Sequence, residues 1–318
     1  MRFGFIGDIL RWLLDLIYGF IPNYGIAILI FVFVIRMCLL PLDVKSRRGM
    51  KRMQEVQPLM DELNKKYAKD KERLNQKMAE LYKKEKISPM SGCLPMLLTF
   101  PILFAMFAVM REVANEKTVE MILNIKAALA AGETNYQPVL EGFLWIKNVF
   151  QPDSFMSTVV PAASADALLG VSAFGALTQE MIEEAKAFLV TAEYAEWAAA
   201  FGNNTIYSAP LLFWTISIPQ TFNGLFILPV LSALTQFAAS KFMNTSMPEP
   251  NKEKQQSNQA MMKWFFPLFS LWICASSNAG FALYWVFANI IQVIQQIAIN
   301  KWIDYSNSKK KLIEEAGK

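Results

Sequence analysis

Histidine is absent from all 318 residues, and with it go His-based proton relays, His metal ligands and Ser/His or Cys/His nucleophile pairs. Cysteine is scarce: Cys38, Cys93 and Cys274 lie far apart, each inside an apolar run, which suggests neither a disulfide framework nor a metal site. Walker-type phosphate loops, HExxH and nucleophile elbows are missing, so neither an enzyme nor a cofactor is expected. Charged residues make up only 18% of the chain, against 54% hydrophobic and 13% aromatic, a balance that argues against an ordinary soluble domain. A formal net charge of +4 is too small to read as direct nucleic-acid recognition.

The apolar residues fall in long blocks. A helix needs about 20 mostly apolar residues to cross the roughly 30 Å hydrocarbon layer, and the segments 23–42, 92–111 (91–111 with its flank), 223–241, 261–277 and 280–299 qualify. Residues 43–90 carry fourteen Lys/Arg and eight Asp/Glu, whereas 112–222 carry four Lys and twelve acids. Near the segment ends, 43–62 and 71–90 hold five and six Lys/Arg, while 112–131 and 202–222 hold two and none. The positive-inside rule then puts 43–90 in the cytoplasm. By alternation the N-terminus and 112–222 lie outside, and 242–260 and the tail 300–318 inside, with Lys309, Lys310 and Lys311. The expected fold class is an all-α polytopic membrane protein with five transmembrane helices in a bacterial plasma membrane.

Two regions flank these spans with helical character of their own. In residues 1–22, Asp8, Arg11 and Asp15 recur at i, i+3, i+7 and share one helix face, which predicts an amphipathic interfacial helix in preference to a cleaved leader. In the basic segment Met53, Val56, Met60, Leu63 and Tyr67, then Leu74, Met78 and Leu81, predict a helical hairpin with Asp70 as N-cap and Pro58 as a kink or weak point. Composition alone leaves a solvated helical linker equally open. In the outer region 112–222, residues 114–131 and 178–201 look helical.

Arg36 is the most informative residue. It lies well inside the first segment, where a charge costs several kcal/mol unless it meets water or a partner, and none of the five segments contains Asp or Glu. Water, lipid phosphate, a helix C-terminus or a substrate are then its expected partners. Counted inward from the outer end at about 1.5 Å per residue, Arg36 lies roughly 19 Å down its helix. Thr99, Gln236, Asn289 and Gln292 fall at comparable depths on three other segments. Trp285, Asn289, Gln292 and Gln296, at i, i+4, i+7, i+11, lie on one face of the fifth. Thr99 or Gln236 alone would read as interhelical glue. The set with Arg36 favours a hydrated, positively charged cavity reaching the inner half of the bilayer.

These residues also resemble a known family. Ile35-Arg36-Met37-Cys38-Leu39-Leu40-Pro41-Leu42, followed by Lys51-Arg52-Met53-Gln54-Glu55-Val56-Gln57-Pro58, is similar to the arginine-bearing first core helix and cytoplasmic hairpin of YidC/Oxa/Alb insertases. Gly92-Cys93-Leu94-Pro95 with Phe100-Pro101-Ile102 resembles their second core helix. Phe143-Leu144-Trp145 with Gln151-Pro152-Asp153, Ile227-Leu228-Pro229 and Ala279-Gly280-Phe281-Ala282-Leu283-Tyr284-Trp285 complete the pattern in order. Thr99 departs from it, standing where relatives commonly carry glutamine, and residues 154–221 form an acidic insertion that the core fold does not need. The chain looks like the compact form of Gram-positive bacteria, with neither a large N-terminal periplasmic domain nor a long ribosome-binding tail.

The resemblance implies a membrane protein insertase and chaperone. Its client-binding groove, open to cytoplasm and lipid, is expected at Arg36, Thr99, Gln236, Trp285, Asn289 and Gln292. Lys51, Arg52, Met53, Lys65, Lys66 and Arg73 of the hairpin are the candidates for recruitment. Nascent membrane proteins are the expected partners, with the ribosome, a Sec translocon and the lipid bilayer beside them. A channel or small-solute transporter is the alternative, since an intramembrane charge in a polar cavity also serves transport; five unlike segments without intramembrane carboxylates fit that poorly.

Overall fold

The computed structural model describes residues 4–85, 94–203, 206–211, 214–219, 222–244 and 256–316, with side chains at 4–85, 101–201, 222–241 and 264–309. Among these residues there are nine α-helices: α1 Gly4–Phe20, α2 Tyr24–Lys66, α3 Lys71–Lys84, α4 Leu94–Ala130, α5 Gln179–Leu189, α6 Ala192–Asn203, α7 Ile227–Asn244, α8 Gln256–Ser276 and α9 Ala279–Ala316. The all-α expectation needs one amendment. Strands β1 Ile206–Leu211 and β2 Trp214–Pro219 pair antiparallel, with Ile206 opposite Pro219 and Leu211 opposite Trp214. The alternation Tyr207, Ala209, Leu211 and Trp214, Ile216, Ile218 suits a strand pair, a period-2 signal hidden in a loop read only for helices.

The apolar segments lie on α2, α4, α7, α8 and α9, but the helices do not stop at the segment ends. The first segment continues unbroken through Pro41 and Pro58 into the basic region, so Pro58 does not end α2. Likewise α4 runs on into the outer region and α9 into the basic tail. Continuation is favourable because every further residue adds one backbone hydrogen bond once the helix is nucleated. By length and composition, α2 and the Ala279–Lys309 stretch of α9 are apolar enough to cross a membrane among the described residues, and Trp264–Ser276 is a shorter apolar helix.

The chain divides into two compact units, one of residues 1–31, 104–232 and 270–286, the other of 32–103, 233–269 and 287–318. In the first, α1 presents Phe5, Ile9, Trp12, Leu16 and Phe20 as exposed residues. Arg11, from the opposite side of that helix, bonds Asp15 at 2.7 Å and Glu116 of α4 at 2.9 Å. The C-terminal end of α4 shares a core with the insertion: Val119, Ile122 and Ile125 pack with Val160, Leu168, Ile182, Leu189, Tyr194 and Trp197. The insertion is therefore a folded layer on α4, and its acids decorate the surface of a real core.

A buried polar knot closes that insertion at its base. Asp153, fully buried, accepts hydrogen bonds from the Leu225, Phe226 and Leu228 backbone N–H groups at 2.8, 3.2 and 2.6 Å and from Trp145 Nε1 at 3.2 Å. Its carboxylate thus satisfies donors around the first turn of α7, where no intrahelical acceptor exists and negative charge is favoured. Asn223 donates to the carbonyls of Asn148, Gln151 and Pro152. Phe226 takes φ +61°, a left-handed conformation costing a non-glycine residue about 1–2 kcal/mol, and the Asp153 bonds at 225, 226 and 228 hold it there. Gly224 stands against Asp153 with no room for a Cβ.

In the second unit the basic segment forms the expected hairpin. Met53 and Val56 are buried and pack with Met60, Leu81 and Tyr82. Asp70 caps α3, accepting from Arg73 N at 3.1 Å. At its base α2 meets α9: Lys51 pairs with Asp304, and the Arg48 guanidinium lies 4.6 Å from the centre of the Trp302 ring.

Candidate functional site

The second unit gathers polar groups from α2, α7 and α9. Arg36 Nη2 donates to Gln292 Oε1 at 3.0 Å, and Gln295 Nε2 donates to the Arg36 backbone carbonyl at 3.1 Å. Two amides one turn apart on α9 therefore grip one residue of α2, one at its side chain and one at its backbone. Asn289 Nδ2 lies 3.4 Å from Thr235 Oγ1 on α7, a long contact one turn from Gln292. Of the residues singled out by spacing, Arg36 and Gln292 are joined by a hydrogen bond.

Arg36 is half-buried, and the Gln292 side chain joins the expected partner set of water, lipid phosphate, a helix C-terminus or a substrate. A side-chain amide was left out of that set although Gln292 had been placed at the right depth. Asp43, one residue beyond the first segment, also lies within electrostatic range of Arg36. It sits two turns along α2 at i+7, on the same face. Arg47, at i+11, shares that face and lies in the field of Asp43. A row of alternating charge thus runs down α2 from Arg36.

The remaining candidates separate. Gln236 is half-buried on α7 beside Thr235. Trp285 is buried in the first unit, its ring centre 5.6 Å from that of Phe281. Thr99 lies on α4, its side chain outside the described residues. Of the hairpin candidates, Met53 belongs to the seam and Lys51 is engaged by Asp304. Arg52, Lys65, Lys66 and Arg73 are exposed, with Arg73 3.2 Å from Asp70. Gln295 and Thr235 were missed, although each neighbours a residue already singled out, and Gln295 stands three residues from Gln292 on its face.

What this arrangement does chemically is hold a fixed cation among neutral amides. Gln292 supplies a carbonyl to the guanidinium, and Gln295 supplies a donor to the backbone of the same residue. Buried oxygens of Gln295 and Gln296 have no hydrogen-bond partner among the described residues. Amide acceptors without a partner among the described residues suit a site that meets water or polar chain segments.

Residues 16–308 match the model of the 60Kd inner membrane protein family. Similar proteins include the "Membrane protein insertase YidC" of Treponema denticola, 26% identical over 92% of this chain and 37% of that protein. Those of Rickettsia massiliae (28%, over 91% and 37%) and Chlorobaculum tepidum (26%, over 89% and 34%) carry the same description. The chain spans little more than a third of the length of these curated relatives. With a family match over nearly its whole length, the chain belongs to the 60Kd inner membrane protein family, the YidC/Oxa/Alb family that its motifs resemble.

Proposed function

We propose that this protein inserts client proteins into the membrane and assists their folding, using the polar face around Arg36 as a hydrated groove open to the cytoplasm and to lipid. The observation that carries the reading is the Arg36 guanidinium, a cation that donates to Gln292 in a cluster of neutral amides with Asn289 and Gln295 of the same helix. No nucleotide is needed for the step, because transfer of an apolar helix of about 20 residues into hydrocarbon is itself favourable. The barrier lies in the polar flank of the client. A wet groove shortens the dry distance that this flank crosses, and attraction to Arg36 offsets part of its desolvation.

In this reading five helices span the membrane with the N-terminus outside and the tail inside, supported by the Lys/Arg asymmetry of the loops. Nascent membrane proteins are the partners, delivered by the ribosome or beside a Sec translocon, and the exposed Arg52, Lys65, Lys66 and Arg73 of the hairpin receive them. The outward apolar face of α1 rests in the interface. Cysteine-accessibility labelling around Arg36, in a background lacking the native cysteines, tests the groove. Labelling from the cytoplasmic side alone is the expected result, and labelling from both sides would replace the insertase by a solute pathway.

A further inference from the structure

Three turns beyond Arg36 on the same face of α2, Arg47 is only 7% exposed, and its Nη1 is enclosed with no acceptor among the described residues. Its neighbours Arg48 and Lys51 are engaged by Trp302 and Asp304. Arg47 feels one carboxylate, that of Asp43 a single turn earlier, and no hydrogen bond joins the two. The hydroxyl of Ser46 beside it is buried and unpartnered as well. A guanidinium withdrawn from water with an unfilled donor is unfavourable unless an acceptor arrives. A carboxylate is the acceptor whose geometry the guanidinium fork matches.

We propose that Arg47 is a second anion station, at the hairpin end of the α2 face, where an aspartate or glutamate of the client docks before it reaches Arg36. The inference rests on the insertase reading and adds an order of events to it. Eleven residues separate the two cations, about 16 Å at the helical rise, so one extended client segment of about five residues spans them. Asp43 lies between, in the field of both. A client carboxylate at Arg47 takes over the role that Asp43 fills at a distance in the resting protein. Repulsion from Asp43 then discourages it from resting between the stations.

The test places a photoreactive residue beside a single aspartate in the tail of a nascent client, stalled at increasing lengths on the ribosome, and maps adducts on the full protein in membranes. Adducts at 43–51 with shorter chains and at 32–40 with longer ones are expected. Arg47→Gln should lower the early adducts roughly tenfold, the scale of a charge-assisted hydrogen bond, Arg47→Lys should retain most of them, and an asparagine-tailed client should be indifferent to both. Adducts confined to 32–40, adducts to lipid alone at the early lengths, or early adducts unchanged in Arg47→Gln would overturn the station while leaving the groove intact. Absence of client adducts from both segments would instead remove the groove reading. Should Arg47→Gln fail to accumulate, the adduct order in the unaltered protein and the Arg47→Lys result still decide.

Discussion

Arg36 is half-buried and Asp153 fully buried, and the structure gives these two charged side chains opposite characters. Asp153 is saturated: four donors converge on its two oxygens, and its removal would strand backbone N–H groups at the start of α7. Asp153→Ala should therefore cost on the order of 3 kcal/mol, since bonds to a charged group contribute about 1.5–3 kcal/mol each and the stranded donors add desolvation. The readout is the thermal unfolding midpoint of the purified protein in detergent. A midpoint within a degree of the parent would show that the knot does not hold the α7 junction. Arg36, by contrast, meets neutral amides of α9: its guanidinium donates to Gln292, and Gln295 donates to its backbone carbonyl. Arg36→Lys keeps the charge and should retain much activity, whereas Arg36→Ala should impair clients with acidic external tails more than neutral ones. Equal insertion of both client types by Arg36→Ala, at normal protein levels, would reduce Arg36 to a structural group.

At the scale of elements, the hairpin tests how far a short apolar seam can hold two charged helices. The seam consists of buried Met53 and Val56 with Met60, Leu81 and Tyr82 packed beside them, so Val56→Asp should separate the arms while the helices on either side persist. Hydrogen exchange should then show lost protection in α3 with little change in α9; unchanged α3 protection would mean that something other than the seam holds it. The seam was legible in advance because its 3.6-residue period survives in a polar background, and Asp70 because a cap is a local signal. Helix ends were less legible. Apolar composition stops at residue 42 while α2 does not, since the helix is set by backbone bonding and the segment by lipid. The core shared by α4 and the insertion was missed for a different reason: Ile122 and Ile182 lie sixty residues apart, and no local period reports a pairing of that range. At the polar site Arg36, Asn289 and Gln292 were readable as polar residues of apolar segments. The pairing of Arg36 with Gln292 in place of a carboxylate was not, because the expectation searched for charge to answer charge.

At the scale of the whole molecule, topology decides whether these local chemistries can act together. The basic loop holds fourteen Lys/Arg and the outer region four Lys with twelve acids, and each cationic side chain near a span end resists translocation. Fusions of a reporter active only in the cytoplasm should be active near residue 70 and silent near residue 170, and a reporter active only outside should give the converse pattern. The prediction is stricter than a general inside/outside assignment, because α2 joins its apolar segment to the hairpin without a break. Moving the hairpin outside would carry Arg47, Arg48, Lys51 and Arg52 through the bilayer on the same helix as Arg36. Replacing Lys45, Arg47 and Arg48 by glutamine should therefore weaken the orientation signal and let a fraction of chains invert, whereas the same number of replacements at Lys65, Lys66 and Lys69, outside both 43–62 and 71–90, should invert few. Equal inversion by both sets would show that total loop charge, not its proximity to the span, orients the chain. An external location for residue 70 in the unaltered protein would remove the assigned depths, and with them any groove that opens toward the cytoplasm.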